Sequence, residues 1–112
     1  MTTPRFLFIV SALLVPAAAI ALPAMVKTFQ TQYSPAKGSA LAKAGCAVCH
    51  MGATAKMNPY GTDLKAAMAA QKSKALTPAA LKAVEAKDSD KDGVSNIDEI
   101  KAGKLPGDAK SK

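Results

Sequence analysis

The chain has 112 residues, which is room for one small domain and excludes a large enzyme, a multidomain protein and a multi-span membrane protein. Hydrophobic residues make up 49%, but 24 of them are Ala, and only 19 large apolar or aromatic residues occur from Leu22 onward; so thin a core calls for a staple such as a cofactor, metal or disulfide. The net charge is +7, yet Lys supplies 14 of the 15 basic residues, Trp is absent and aromatics are 4%, which argues against nucleic acid as a partner.

Residues 6–26 carry no charge and, as a helix, would span about 31 Å, enough for a bilayer core. The same stretch also reads as an export signal. Arg5 is a short basic start, an apolar run follows to Val15, Pro16 breaks it, and Ala19-Ile20-Ala21 is an A-x-A cleavage pattern. Cleavage after Ala21 and a retained single-span anchor both stay open. Either places the remainder outside the cytoplasm, in a bacterial periplasm or an equivalent compartment.

Residues 27–38 read as a linker with Phe29, Tyr33 and a turn at Ser34-Pro35. A short helix is expected over residues 39–44, with Leu41 buried and Gly45 ending it. Cys46-Ala-Val-Cys49-His50 comes next. Two thiols three residues apart on one turn can each form a thioether to a vinyl group of one haem, and the adjacent His turns its imidazole onto the iron. Both Cys residues and the only His of the chain fall in this motif. The competing uses are weaker. A disulfide across two intervening residues is strained, zinc wants four ligands, and a redox dithiol belongs on a βαβ unit that is not visible.

A loop over residues 51–57 leads to Asn58-Pro59, an N-cap followed by proline at the first helical position. Tyr60, Leu64 and Met68 then share one face of the helix. No second His exists, so the second axial position is open to Met68, to Met57, to another group, or to nothing, leaving the iron five-coordinate. Met51 adjoins the proximal His, and Met25 lies in or beside the apolar segment. Tyr60 is a candidate for the haem pocket. Residues 71–76 form a polar loop, and Thr77-Pro78 starts a helix expected to run to Lys87, with Leu81 and Val84 inward.

An acidic loop follows. Asp88, Asp90, Asp92, Val94, Asn96 and Glu99 fit D-x-D-x-D-G-x5-E, with Gly93 at the sharp turn, which is the donor spacing for one Ca2+. Ser95 stands where such loops usually carry an apolar residue, so Asp98 or Glu99 could close the shell. Ile97 and Ile100 mark a last short helix stopped by Gly103 and Pro106. Nothing reads as a strand. The expected layout is a signal or anchor at 1–26, a haem module at 27–76, and a calcium-binding segment and tail at 77–112.

Gly38, Leu41 and the Cys46–His50 motif resemble the haem-attachment helix of small class I c-type cytochromes. Phe29, Tyr33, the Cys-His motif and Asn58-Pro-Tyr-Gly61 are also similar to small secreted monohaem cytochrome-c-like proteins of bacteria, some of which end in an acidic calcium-type loop. The chain departs from class I in having no Met after Met68 and no aromatic C-terminal helix. The resemblance implies an electron carrier rather than an enzyme. The expected fold is all-α: an N-terminal apolar helix, a small cytochrome-c-like helical domain around one covalent haem c, and a helix–loop–helix calcium element. Eight Lys against Asp63 alone between Leu22 and Lys82 would steer this surface to an acidic redox partner. The other functions in play are a haem subunit of a membrane redox complex and an open-site haem enzyme or sensor.

Overall fold

The computed structural model describes residues 18–52 and 54–111. Most of the signal or anchor segment therefore lies outside the described residues. Among those described, no helix is long and apolar enough to cross a membrane.

Five α-helices and one 3-10 turn follow in chain order, and the all-α expectation holds. Helix α1 spans Ala18–Tyr33. The linker expected over residues 27–38 is thus helical as far as Tyr33. Val26, Phe29 and Tyr33 recur at helical spacing and build one apolar face, which the polar residues between them hide in a linear reading. The helix stops where the Ser34 amide closes on the Gln30 carbonyl at 2.8 Å, Ser34 turns to φ 43°, and Pro35 cannot continue the ladder.

Helix α2 spans Ala40–Ala44, with Ser39 Oγ accepting from the Ala42 amide at 3.1 Å. Gly45–Val48 winds tighter, as a 3-10 turn. Helix α3, Pro59–Ala70, is capped by Asn58, and α4, Pro78–Ala83, by Thr77. Helix α4 ends before the expected Lys87. The carbonyls beyond it are taken by the next element: Val84 by the Asn96 side chain at 2.8 Å, Glu85 by the Ile97 amide at 3.0 Å, and Lys87 by the Asn96 amide at 2.7 Å. These bonds compete with the i to i−4 ladder and replace it. Helix α5, Asn96–Lys101, is capped by Ser95.

The core draws on every helix through Phe29, Leu41, Val48, Tyr60, Leu64, Leu81, Val84 and Ile100. Phe29 is its hub, with its ring centroid 5.1 Å from Tyr33 and 6.3 Å, edge-on, from Tyr60. Each such pair adds about 0.5–1.5 kcal/mol beyond its burial. The chain after α5 then folds back. The Gly103 carbonyl accepts from the Leu41 amide at 3.1 Å, and the buried Gly107 lies against the Asn58 side chain. The C-terminal segment is therefore strapped onto the elements that flank the Cys-His motif.

Candidate functional site

Helices α1, α2 and α3 and the 3-10 turn enclose an apolar cleft of about 270 Å³. Met25, Val26, Phe29 and Gln30 form the α1 wall, and Gly61, Leu64, Lys65 and Met68 form the α3 wall. Cys46, Cys49 and His50 line the floor together. Both cysteines are free thiols. Burial, and then the neighbouring Cys46, push the Cys49 thiol up to about 11, so it is protonated at neutral pH.

The motif is held by its own backbone. The amides of Cys49 and His50 both close on the Cys46 carbonyl, at 3.3 and 3.0 Å. Asn58 locks this turn to α3. Its Nδ2 donates to the carbonyls of Val48 at 2.9 Å and Ala47 at 3.2 Å, while its Oδ1 accepts from the Gly61 amide at 2.8 Å. The side chain that the sequence marks as a helix cap is thus also the tie between the Cys-His turn and the opposite wall. Gly61 lets the two approach. A Cβ there would lie 2.0 Å from the Cys49 carbonyl oxygen.

The residues fit a covalent haem. Two thiols stand beside an imidazole in a cleft whose lining is otherwise almost wholly apolar, apart from Gln30 and Lys65. The His50 Nδ1 is buried without a hydrogen-bond partner, so nothing in the fold consumes this ring as a structural histidine.

The methionines separate by position. Met57 and His50 pair across an antiparallel bridge flanked by the Asn58–Cys49 bond at 2.9 Å and the Met51–Lys56 bond at 2.8 Å. Residues so paired project to the same side of their ribbon. Met57 therefore stands alongside His50, and it too lines the cleft. Met68 lines the cleft from α3, as its spacing predicts, and Met25 lines it from α1. The α1 wall was not foreseen, and its signal was the periodicity of Val26, Phe29 and Tyr33. Tyr60 is not part of the lining. It is fully buried behind the wall, and its hydroxyl has no partner. Burial foremost, then Tyr33, Cys49 and Glu85, raise its pKa.

The acidic loop forms a second cluster. Carboxylate oxygens of Asp88, Asp90 and Asp92 lie within 4.8 Å of one another. Glu99 is 2% exposed, and its Oε2 is buried without a partner. Burial, and then the carboxylates of Asp92, Asp90 and Asp88, push Glu99 up to about 8. Asp90 rises to about 6, through burial and then Asp92. Of the two closing residues left open by the sequence, Glu99 faces the cluster. Asp98 is exposed and accepts from Ser95 Oγ at 2.8 Å. Asn96 corrects the expected ligand pattern. It is fully buried, and its amide is spent on Val84, on Ser89 Oγ at 2.7 Å and on the Ser89 amide at 3.1 Å. Val94 is 42% exposed at the turn beside Gly93, and its amide donates to Asp92 Oδ1 at 2.9 Å.

Residues 35–106, well over half of the chain, match the family model described as cytochrome c. No curated protein and no solved structure matches.

Proposed function

The chain belongs to the cytochrome c family, and on that premise we propose that it carries single electrons between redox partners outside the cytoplasm through one covalently held haem. Family membership makes it a small c-type cytochrome, a haem-based electron-transfer protein. The observation that carries the finer reading is the convergence of Cys46, Cys49 and His50 on the floor of one apolar cleft.

Haem c, when bound, supplies a reversible ferric–ferrous couple. The residues do the rest. The Cys46 and Cys49 thiols would hold the haem covalently, each through a thioether to one vinyl group. His50 would supply an imidazole to the iron, and Met68 is the thioether proposed as its second ligand. The apolar α1 and α3 walls would keep water from the iron and so limit solvent reorganisation on electron transfer. Lys65 and Gln30, the polar members of the walls, are the groups suited to the propionates.

An optical spectrum of protein made in a host able to attach haem c tests this. Sharp low-spin reduced bands and a ferric methionine–iron charge-transfer band are expected. A high-spin spectrum that shifts with carbon monoxide would replace the electron carrier by an open-site haem protein, and absence of a Soret band would end the haem reading.

Lys43, Lys56 and Lys65 are exposed near the cleft: Lys65 lines it, Lys56 precedes Met57, and Lys43 stands just before Gly45. They are the proposed docking charges for an acidic redox partner. Lys43→Glu should slow reduction by such a partner roughly tenfold at low ionic strength, the gap closing in 1 M salt, where the Debye length is about 3 Å. Stopped-flow rates that ignore both charge and salt would exclude this docking mode. Export, with residues 6–26 either cleaved or retained as a tether, is part of the proposal and is read by N-terminal sequencing of the mature protein.

The acidic loop is the proposed site of one Ca2+, held by Asp88, Asp90, Asp92 and Glu99 and by the Val94 carbonyl. The buried Glu99 carboxylate, one oxygen of which has no partner, supports it, because such a group needs a cation or a proton. The ion would stabilise the last helices on the haem module.

A further inference from the structure

The calcium loop meets the haem module at a polar junction. Ser89 lies between two carboxylates of the cluster, Asp88 and Asp90. Its Oγ donates to Asp63 Oδ2 at 2.6 Å and accepts from Asn96 Nδ2 at 2.7 Å. Lys87, one residue before the loop, places its Nζ 3.5 Å from Asp63 Oδ1. Asp63 belongs to α3, and the next two residues of that helix, Leu64 and Lys65, line the cleft, with Met68 one turn further on. Ser89 is thus bonded at one end to the cation cluster's chain and at the other to the cleft wall.

Three carboxylates within 4.8 Å repel one another, and the buried Glu99 facing them has an oxygen with no partner. A divalent cation removes that repulsion and draws Asp88 and Asp90 onto one centre. Ser89, between them in the chain, is then held in the position from which it reaches Asp63. With the cation absent, the loop gains freedom and the 2.6 Å bond is the contact to α3 most directly exposed to it.

We infer that the cation site and the haem cleft form one cooperative unit joined through Ser89 and Asp63, so that Ca2+ occupancy holds α3 against the haem. The inference rests on the calcium reading above. Linkage makes it reciprocal: if Ca2+ favours the closed cleft, then closing the cleft on its ligand raises Ca2+ affinity by the same factor. Ser89 and Asp63 act as positioning residues, touching neither the cation nor the haem.

The test uses the full-length holoprotein with Ca2+ alone as the ligand. Calorimetry measures binding. Hydrogen exchange of the α3 amides and the ferric methionine–iron band are recorded in Ca2+ and in chelator, for the wild type, Ser89→Ala and Asp63→Asn. Ca2+ should bind all three. In the wild type it should raise protection across residues 64–68 about tenfold, within the usual range of coupling between sites, and sharpen the band. In Ser89→Ala both effects should vanish while binding persists. Asp63→Asn, which removes the charge but keeps a side chain of the same shape, should weaken them and serves as the readout where Ser89→Ala does not fold. Ca2+ that binds the wild type but leaves α3 exchange and the band unchanged overturns the coupling and leaves the calcium site standing. Coupling that survives intact in both variants overturns the Ser89–Asp63 route. Absence of Ca2+ binding to the wild type overturns the site itself.

Discussion

Gly61→Ala should strongly destabilise the folded protein and lower its haem content. The added Cβ would sit 2.0 Å from the Cys49 carbonyl oxygen and 2.9 Å from its carbonyl carbon. Both are backbone atoms, so no side chain can swing aside. The approach is also pinned from both ends. The Asn58 amide donates to that same Cys49 oxygen at 2.9 Å, and Asn58 Oδ1 accepts from the Gly61 amide at 2.8 Å. Relief means moving α3 away from the Cys-His turn and breaking these bonds. Overpacking among movable side chains costs about 1–3 kcal/mol. Each buried polar group left unpaired adds about 1–3 kcal/mol. The total exceeds about 4 kcal/mol, a large share of the roughly 5–15 kcal/mol that holds a small domain. At about 4–8 °C per kcal/mol, the melting midpoint should fall by some 20 °C or more. Thermal melts and haem staining of denatured protein check this. A variant with the melting curve and haem content of the wild type would mean that the Cys49–Gly61 approach is not as close as described.

The second large effect concerns the iron's distal side. Met68→Ala should eliminate the ferric methionine–iron band, lower the midpoint potential and open the iron to carbon monoxide, because methionine ligation raises the potential. The loss should be complete, not graded, since a single sulfur is removed. The fold should survive. Met68 is only half-buried, so truncation should cost no more than about 2 kcal/mol, the lower end of the range for core methionines. Met57→Ala should keep the band, because Met57 stands beside His50 in the bridged pair. Met25→Ala is the informative control. Met25 also lines the cleft, from α1, which lies outside the residues matching the cytochrome c family. Loss of the band in Met25→Ala with retention in Met68→Ala would move the ligand to α1.

Several features were open to reading from the chain alone because they are decided within a few residues. The spacing of Cys46, Cys49 and His50 is a property of one helical turn. The caps at Ser39, Asn58 and Thr77 each bond an amide three residues on. The common face of Leu64 and Met68 follows from 3.6 residues per turn. The alternating carboxylates of the acidic loop are likewise visible as spacing.

The rest depends on partners far along the chain. Residues 27–33 look polar until Phe29 and Tyr33 meet Tyr60 and Glu85; the Tyr33 hydroxyl donates to Glu85 at 3.0 Å across 52 positions. Helix α4 has the local signals to continue, and it stops because residues beyond the acidic loop claim its carbonyls. Asn96 occupies a ligand position by pattern, yet its side chain turns inside, where it ties the Val84 carbonyl to Ser89. Gly61 looks like an ordinary helical glycine until the Cys49 carbonyl lies against it. The chemistry of the haem motif is therefore written in five consecutive residues, because thioether and iron ligation need only a short reach. The apolar cleft beside that motif, and the wall that carries Met68, were decided by tertiary structure, because only packing of distant segments brings α1, α3 and the Cys-His turn around one space.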